Sequence, residues 1–412
     1  MELLNQPFTG QLGNRLIDLL DSGEYHTLNI IVAFAQSSGV LRIKPAIDKF
    51  RSLGGNVNVT VGVDLEGTSY EALTSLLMNT DYLAVVHSEK RQTFHPKIYH
   101  FEGEKGCLLI VGSNNLTGGG LWTNFESSLI VHKNNSIDSS DKLNSELINY
   151  QNILSSIKDA CLIINDQSDI DTLLHNGYVL REVDAKLRLS NASKTNGNRK
   201  RLFGSGVPAP IPQILEPTSK NSVKSKPKVE PSSILPAMSA ALLEWQTIWF
   251  ETRSMTGGSR NILDLSAKSL VSRGTPSGTP LDIGDSKFMR GSVTFFGVNP
   301  SATSHTKDIV LNFEGVDYEG NTILFPVGTR ANGTWRLQIK GKSAANHKIT
   351  DAFKMKDPAF YLTNKIIAFT RIDTDYYLLS VHPETELKRF ETASKILGNN
   401  GVTPNAKRVG LL

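Results

Sequence analysis

With 412 residues, 39% of them apolar and 20% charged, the chain is long enough for two domains of ordinary size. A net charge of +4 and a pI near 8.8 exclude a global basic field, so any attraction to nucleic acid must come from local patches. No apolar run approaches the roughly 18 residues of a membrane span and the first residues lack the build of a signal peptide, while the two cysteines, Cys107 and Cys161, lie in apolar surroundings with no second cysteine at metal-ligand spacing; a cytoplasmic protein without structural zinc is expected.

In chain order, Leu28 to Phe34 reads as an apolar strand, followed by a helix to about Phe50, a strand from Val57 to Val63, a helix around Tyr70 to Met78 and a strand from Tyr82 to Val86. Thr93 to Phe101 and Cys107 to Ser113 read as neighbouring strands joined by a turn, with a third apolar strand at Ser128 to Val131 and a helix from Ser139 to about Lys158. Alternation of strands and helices predicts an α/β layer fold over residues 1–185, with its site at strand ends.

Residues 186–236 read as a tether. They carry Arg199-Lys200-Arg201, then prolines at 208, 210, 212 and 217, then Lys220, Lys224, Lys226 and Lys228 among serines. So little apolar surface cannot offset the entropy of ordering, and the charge suits either phosphate contact or a solvated linker. Residues 237–412 break into short strands at Trp245 to Thr252, Ser292 to Gly297, Asp308 to Phe313, Asn321 to Pro326, Thr334 to Lys340, Ala359 to Ile366 and Asp375 to Val381. They predict a mainly β pseudobarrel.

The chemistry concentrates in the first half. His95 and Lys97 share one strand face, Ser113 ends the next strand, Asn115 follows in a glycine-rich loop, and Glu126 leads into the third. An imidazole can attack phosphorus, an ammonium and an amide can hold non-bridging oxygens as charge builds, and a carboxylate can fix the imidazole tautomer. Uncatalysed phosphodiester cleavage is so slow that roughly 20 kcal/mol of barrier lowering is required, so several such groups must act together. Asp282 with Asp285 and Lys287 has the residue types of a metal-dependent nuclease, but its compressed spacing reads as a solvated turn. No Gly-four-residues-Gly-Lys loop for ATP phosphates occurs.

The spacing His95-any-Lys97 and Gly112-Ser113-Asn114-Asn115, with Glu126 eleven positions on, resembles the phospholipase D superfamily over roughly residues 90–131. Glu102 stands where that family carries aspartate. The resemblance implies two histidines bracketing one phosphorus, one becoming phosphorylated and the other serving as acid and base, without a metal. Here the only other His-any-Lys, His305 and Lys307, is followed at the matching spacings by Ile323 and Phe325, so a second motif is missing and a homodimer sharing one composite centre is implied.

Two polar segments complete the sequence reading. Arg253, Ser254, Arg260 and Asn261 in the first, and Thr329, Arg330, Asn332, Trp335 and Arg336 in the second, combine guanidinium groups, amides and flexible glycines suited to base edges and phosphates. A nuclease domain ahead of such a barrel resembles restriction endonucleases of the BfiI and NgoAVII kind, whose C-terminal domain is similar to the plant B-three domain and grips double-stranded DNA with two arms. That resemblance implies a restriction endonuclease needing no cofactor for cleavage, a separate helicase-like ATPase bringing ATP and magnesium, and a DNA methyltransferase as another chain. The alternatives are a phospholipase D-like enzyme acting on lipid or RNA, and a non-catalytic DNA-binding regulator. A lipid substrate would call for an amphipathic basic helix, and none is evident.

Overall fold

The structure, a computed structural model, describes residues 1–90, 92–134, 142–157, 159–193, 206–207, 209–214, 247–255, 258–327, 333–358 and 360–412. The first half holds β1 (Glu2–Gln6), α1 (Leu12–Asp21), β2 (Thr27–Val32), α2 (Ser37–Ser52), β3 (Asn56–Gly62), α3 (Tyr70–Asn79), β4 (Tyr82–Val86), β5 (Lys97–Gly103), β6 (Gly106–Gly112), β7 (Glu126–Asn134), α4 (Lys142–Ser156), β8 (Cys161–Ile163), α5 (Gln167–His175) and α6 (Glu182–Ser193). Its eight strands form one mixed sheet in the order β1-β7-β6-β5-β2-β3-β4-β8. Only β2, β3 and β4 run parallel, because the helices α2 and α3 supply their crossovers.

Alternation explains the two faces. Ile30 pairs with Tyr99, and Tyr99 with Ile110, so these residues point to one side, where Leu12 and Leu16 of α1, Val40 and Ile47 of α2 and Leu73 of α3 close a continuous core. Ile31, Ile98 and Leu109 point to the other, covered by Leu147 and Leu154 of α4. Register places the start of β5 beside the end of β2, with Val32 opposite Lys97. The starts of β5 and β7 and the ends of β2, β3, β4 and β6 therefore gather at one edge.

The second half holds β9 (Thr247–Glu251), β10 (Ile262–Leu265), β11 (Lys268–Arg273), β12 (Phe288–Arg290), β13 (Thr306–Phe313), β14 (Val316–Leu324), β15 (Trp335–Gln338), α7 (Ile349–Lys356), β16 (Lys365–Asp373), β17 (Tyr376–Pro383), α8 (Leu387–Ala393), β18 (Ile396–Asn399) and β19 (Arg408–Leu411). Its eleven strands form one sheet in the order β10-β15-β14-β13-β17-β16-β9-β19-β18-β11-β12. The sheet stays open, since β10 and β12 at its two ends are not paired, although β10 and β11 are consecutive in the chain. Phe250, Phe296, Trp335, Phe369 and Tyr377 fill the core that it encloses.

Three expectations for this half change. Ser292–Phe296 is a 3-10 turn rather than a strand. Val293, Phe295 and Phe296 are all buried, which a turn closed by the left-handed Gly297 accommodates and a half-exposed strand does not. The strand expected at Ala359 to Ile366 begins only at Lys365, after a turn in which the Thr363 amide donates to Phe360 and Asn364 adopts a φ of 52°. Trp335, expected to contact DNA, is wholly buried, its indole donating to the Pro300 carbonyl at 3.2 Å and its ring meeting Phe325 edge-on. It is a core residue. Trp335→Ala is expected to cost about 3–5 kcal/mol of stability, measured by denaturant unfolding. Intact stability with weakened DNA binding would restore the recognition role.

The expected tether begins inside a helix. Across the 185/186 division α6 continues to Ser193, and its Val183 and Leu187 are buried among Trp249, Ile366, Phe390 and Leu412 of the second half. Farther on, the Pro210 carbonyl accepts from Gln11 at 2.6 Å and that of Pro212 from Arg42 at 2.5 Å. Arg199, Lys200 and Arg201, and lysines 220, 224, 226 and 228, lie outside the described residues.

Where α6 meets the second half, Asp184, His382 and Glu386 lie within 4.8 Å of one another, the one such group among the described residues. Arg389 Nη1 reaches Asp184 at 2.6 Å and Glu386 at 3.2 Å, so a single guanidinium already bridges the two carboxylates. Burial pulls the His382 imidazole down to about 4 from 6.5. The unfolded chain therefore binds a proton there that the folded chain does not, and this contribution to stability is lost as pH falls from 6.5 toward 4. His382→Leu should lose less stability than the parent over that window. Parallel pH profiles in melting experiments would contradict this.

Candidate active site

The five expected residues occupy the sheet edge described above. Lys97, the first residue of β5, is only 6% exposed, because its stem continues the face of Tyr99 and Ile110. Its ammonium lies 2.6 Å from His95 Nδ1 and 3.0 Å from Nε2, and donates to the His95 carbonyl at 3.0 Å. Burial lowers its pKa, against the opposing pull of Glu126. His95 is exposed just before β5, with the Phe34 ring edge-on at 5.7 Å.

Glu126 opens β7 with both oxygens engaged. Ser113 Oγ donates to one, and Asn124 Nδ2 to the other at 3.1 Å. The pairing of Glu126 with His95 expected from the sequence is not formed within the chain; the imidazole is turned to Lys97 instead. Asn115 Oδ1 accepts the Phe34 amide at 3.2 Å, which aims the rest of its amide group. The loop from 112 to 120 needs close approach: a Cβ on Gly112 would stand 2.0 Å from Ser128 Oγ and 2.4 Å from the Ser127 carbonyl.

Two buried amides missed by the sequence reading hold this loop. Asn114 donates to the Gly120 carbonyl at 2.7 Å and accepts from Ser128 Oγ at 2.5 Å, while Tyr99 donates to its backbone carbonyl at 3.1 Å. Gln6 donates to the carbonyls of Gly120 and Asn124, each at 3.1 Å, and accepts the Leu12 amide at 3.1 Å. Asn114 adjoins the motif and was within reach of it; nothing in the sequence links Gln6 to a site more than a hundred residues away. Glu102 lies at the far end of β5, accepting from Asn29 at 2.9 Å, and takes no part in the site.

The other sequence candidates separate. Lys307 pairs with Asp375 at 2.6 Å, and Asp282 accepts the Gly284 amide at 2.8 Å in a turn. Antiparallel pairing of β10 with β15 sets Asp264 opposite Arg336 and brings the Asn261 carbonyl to the Ile339 amide at 2.9 Å, so Arg260 and Asn261 lie at the opposite end of this strand pair from Gly333 and Thr334. Arg260 and Ser254 are exposed, whereas Arg253 is held by Glu251 at 2.9 Å and by the Asn405 carbonyl at 2.9 Å. Thr329, Arg330 and Asn332 lie outside the described residues.

Chemically, this edge offers a solvent-facing imidazole, a partly desolvated ammonium, an amide and a hydroxyl-carboxylate pair. No family model matches the chain, and no curated protein matches it. Among solved structures, the chain is similar over 40% of its length to Nuc, a phospholipase D family member from Salmonella typhimurium, at 15% identity, 97% of that chain covered and a TM-score of 0.29. It is likewise similar over 40% to NucT from Helicobacter pylori, at 15% identity, 98% of that chain and a TM-score of 0.28. A phosphatidylserine synthase from Haemophilus influenzae matches over 47%, at 13% identity, 46% of that chain and a TM-score of 0.32.

Proposed function

We propose that this chain is a metal-independent phosphodiesterase of the phospholipase D type, acting as the subunit of a homodimeric, sequence-specific DNA endonuclease. The observation that carries the proposal is the junction of His95 and Lys97 with Ser113, Asn115 and Glu126 at one sheet edge. A phosphate oxygen is a stronger acceptor for the Lys97 ammonium than an imidazole nitrogen, so substrate would take Lys97 and release the His95 lone pair toward phosphorus. In the first step a His95 nitrogen bonds to phosphorus while the bond from phosphorus to the leaving oxygen breaks. That oxygen takes a proton from the His95 of a second copy. The same second imidazole then deprotonates water, which displaces the phosphohistidine.

The dimer reading draws support from the surface. On the sheet face opposite Lys97, Leu3 lies across from Leu129, and Leu129 across from Val111; they are 59%, 39% and 45% exposed. At the site end of the same strands, Phe8 and Phe125 stack at 5.6 Å, both largely exposed. These two apolar groups, with the polar row of Asn5 and Ser127 between them, suit a second copy whose arrival completes the centre.

Base reading would fall to Arg260, Asn261 and Arg336, together with Arg253, Ser254, Thr329, Arg330 and Asn332. A separate helicase-like ATPase and a methyltransferase remain proposed partners. The direct test is incubation of the protein with long DNA in EDTA, with product ends mapped. Discrete fragments support the reading, and an absolute magnesium requirement for bond breaking refutes it.

A further inference from the structure

Asp64 follows β3 at the same sheet edge as the site. Its Oδ2 accepts the amide of Phe94, the residue before His95, at 2.8 Å. Its Oδ1 lies 2.8 Å from Nδ1 of His87, which follows β4. The His87 ring is braced in turn, 5.2 Å from the Tyr178 ring and with Nε2 3.8 Å from Glu89. One carboxylate thus ties the His95 loop to two neighbouring strand ends.

The turn that carries Asp64 is unusual. Leu65 and Glu66 both adopt left-handed backbone, with φ of 55° and 56°, which side-chain-bearing residues seldom do in succession. Surrounding bonds hold it there: Thr68 Oγ1 donates to the Gly62 carbonyl at 2.6 Å and accepts the Ala35 amide at 3.1 Å. The same turn also fixes the ring beside His95, since a Cβ on Gly67 would stand 2.3 Å from the Phe34 side chain. Backbone and ring placement of His95 both trace to residues 62–68.

We infer that Asp64 is a positioning residue for His95, acting through the Phe94 amide, with His87 securing its second oxygen. Misplacement of a nucleophile by about 1 Å costs on the order of 100-fold in rate. The kinetic part of this inference rests on the phosphodiesterase reading; the placement of the imidazole does not.

The test uses the full chain, a chromogenic phosphodiester, and the ring-carbon magnetic resonance signal of His95, assigned by its loss in His95→Ala. Asp64→Ala should shift that signal and lower kcat by about 10- to 100-fold with KM nearly unchanged. Asp64→Asn, whose amide oxygen still accepts from Phe94, should keep the signal in place and kcat within about 3-fold. The inference is overturned if Asp64→Ala leaves the His95 signal where it was, or if Asp64→Asn falls as far as Asp64→Ala. Should Asp64→Ala not fold, Asp64→Ser, too short to reach the amide, replaces it with the same expectations. If the wild type hydrolyses no phosphodiester, the functional reading fails while the His95 signal still decides the inference.

Discussion

His95→Ala is expected to abolish EDTA-resistant DNA cleavage, by about 10^4-fold or more, while site binding stays within a few-fold of wild type. The size follows from what one substitution would remove at the proposed composite centre. Both imidazoles carry the same number, so the variant loses the group that bonds to phosphorus and the group that protonates the leaving oxygen. On the proposed mechanism Lys97, Asn115 and the Ser113 and Glu126 pair would still stabilise charge but would form no covalent intermediate. Lys97→Gln should therefore be milder, at about 100- to 1,000-fold, the usual cost of removing one oxyanion donor. Binding is spared because the proposed recognition residues belong to the second half of the chain. Cleavage by His95→Ala within tenfold of wild type would end the proposal. Parallel loss of binding would mean that the two halves do not divide the labour.

Mixing wild type with His95→Ala should depress activity as the square of the wild-type fraction. In an equal mixture re-associated at random, about one quarter of the pairs carry two intact imidazoles, and activity should fall to about one quarter. Independent centres in each copy would leave one half. Val111→Asp and Leu129→Asp extend the same argument to the apolar strip: each places a charge where a second copy would have to desolvate it, so sedimentation should show single chains and cleavage should vanish with them. A catalytically active single chain would refute the composite centre.

How much of this was legible in the sequence depends on how far apart the residues lie in the chain. His95, Lys97, Ser113, Asn115 and Glu126 lie in or just beyond the ends of β5, β6 and β7, which are consecutive, antiparallel and adjacent in the sheet. For such strands chain order is spatial order, so spacing alone indicates a shared edge. Asp64, Phe34 and Gln6 reach the same edge through parallel crossovers or a distant strand pairing, and no local pattern announces them. Trp335 shows the converse error. A tryptophan between polar neighbours resembles a binding residue until the sheet is built, and only the register of β15 with β10 and β14 reveals that its side faces the core.

The chain's own order of residues thus determined which reactive groups exist, that three strands would carry them, and that a second imidazole of the same motif is missing. Tertiary structure decided which groups touch: Lys97 with His95, Ser113 with Glu126, Asp64 with the loop between β4 and β5. The physical reason is that strand and turn preferences act over a few residues, whereas hydrogen bonds near 3 Å between distant segments depend on how helices pack the sheet and in what order its strands are laid.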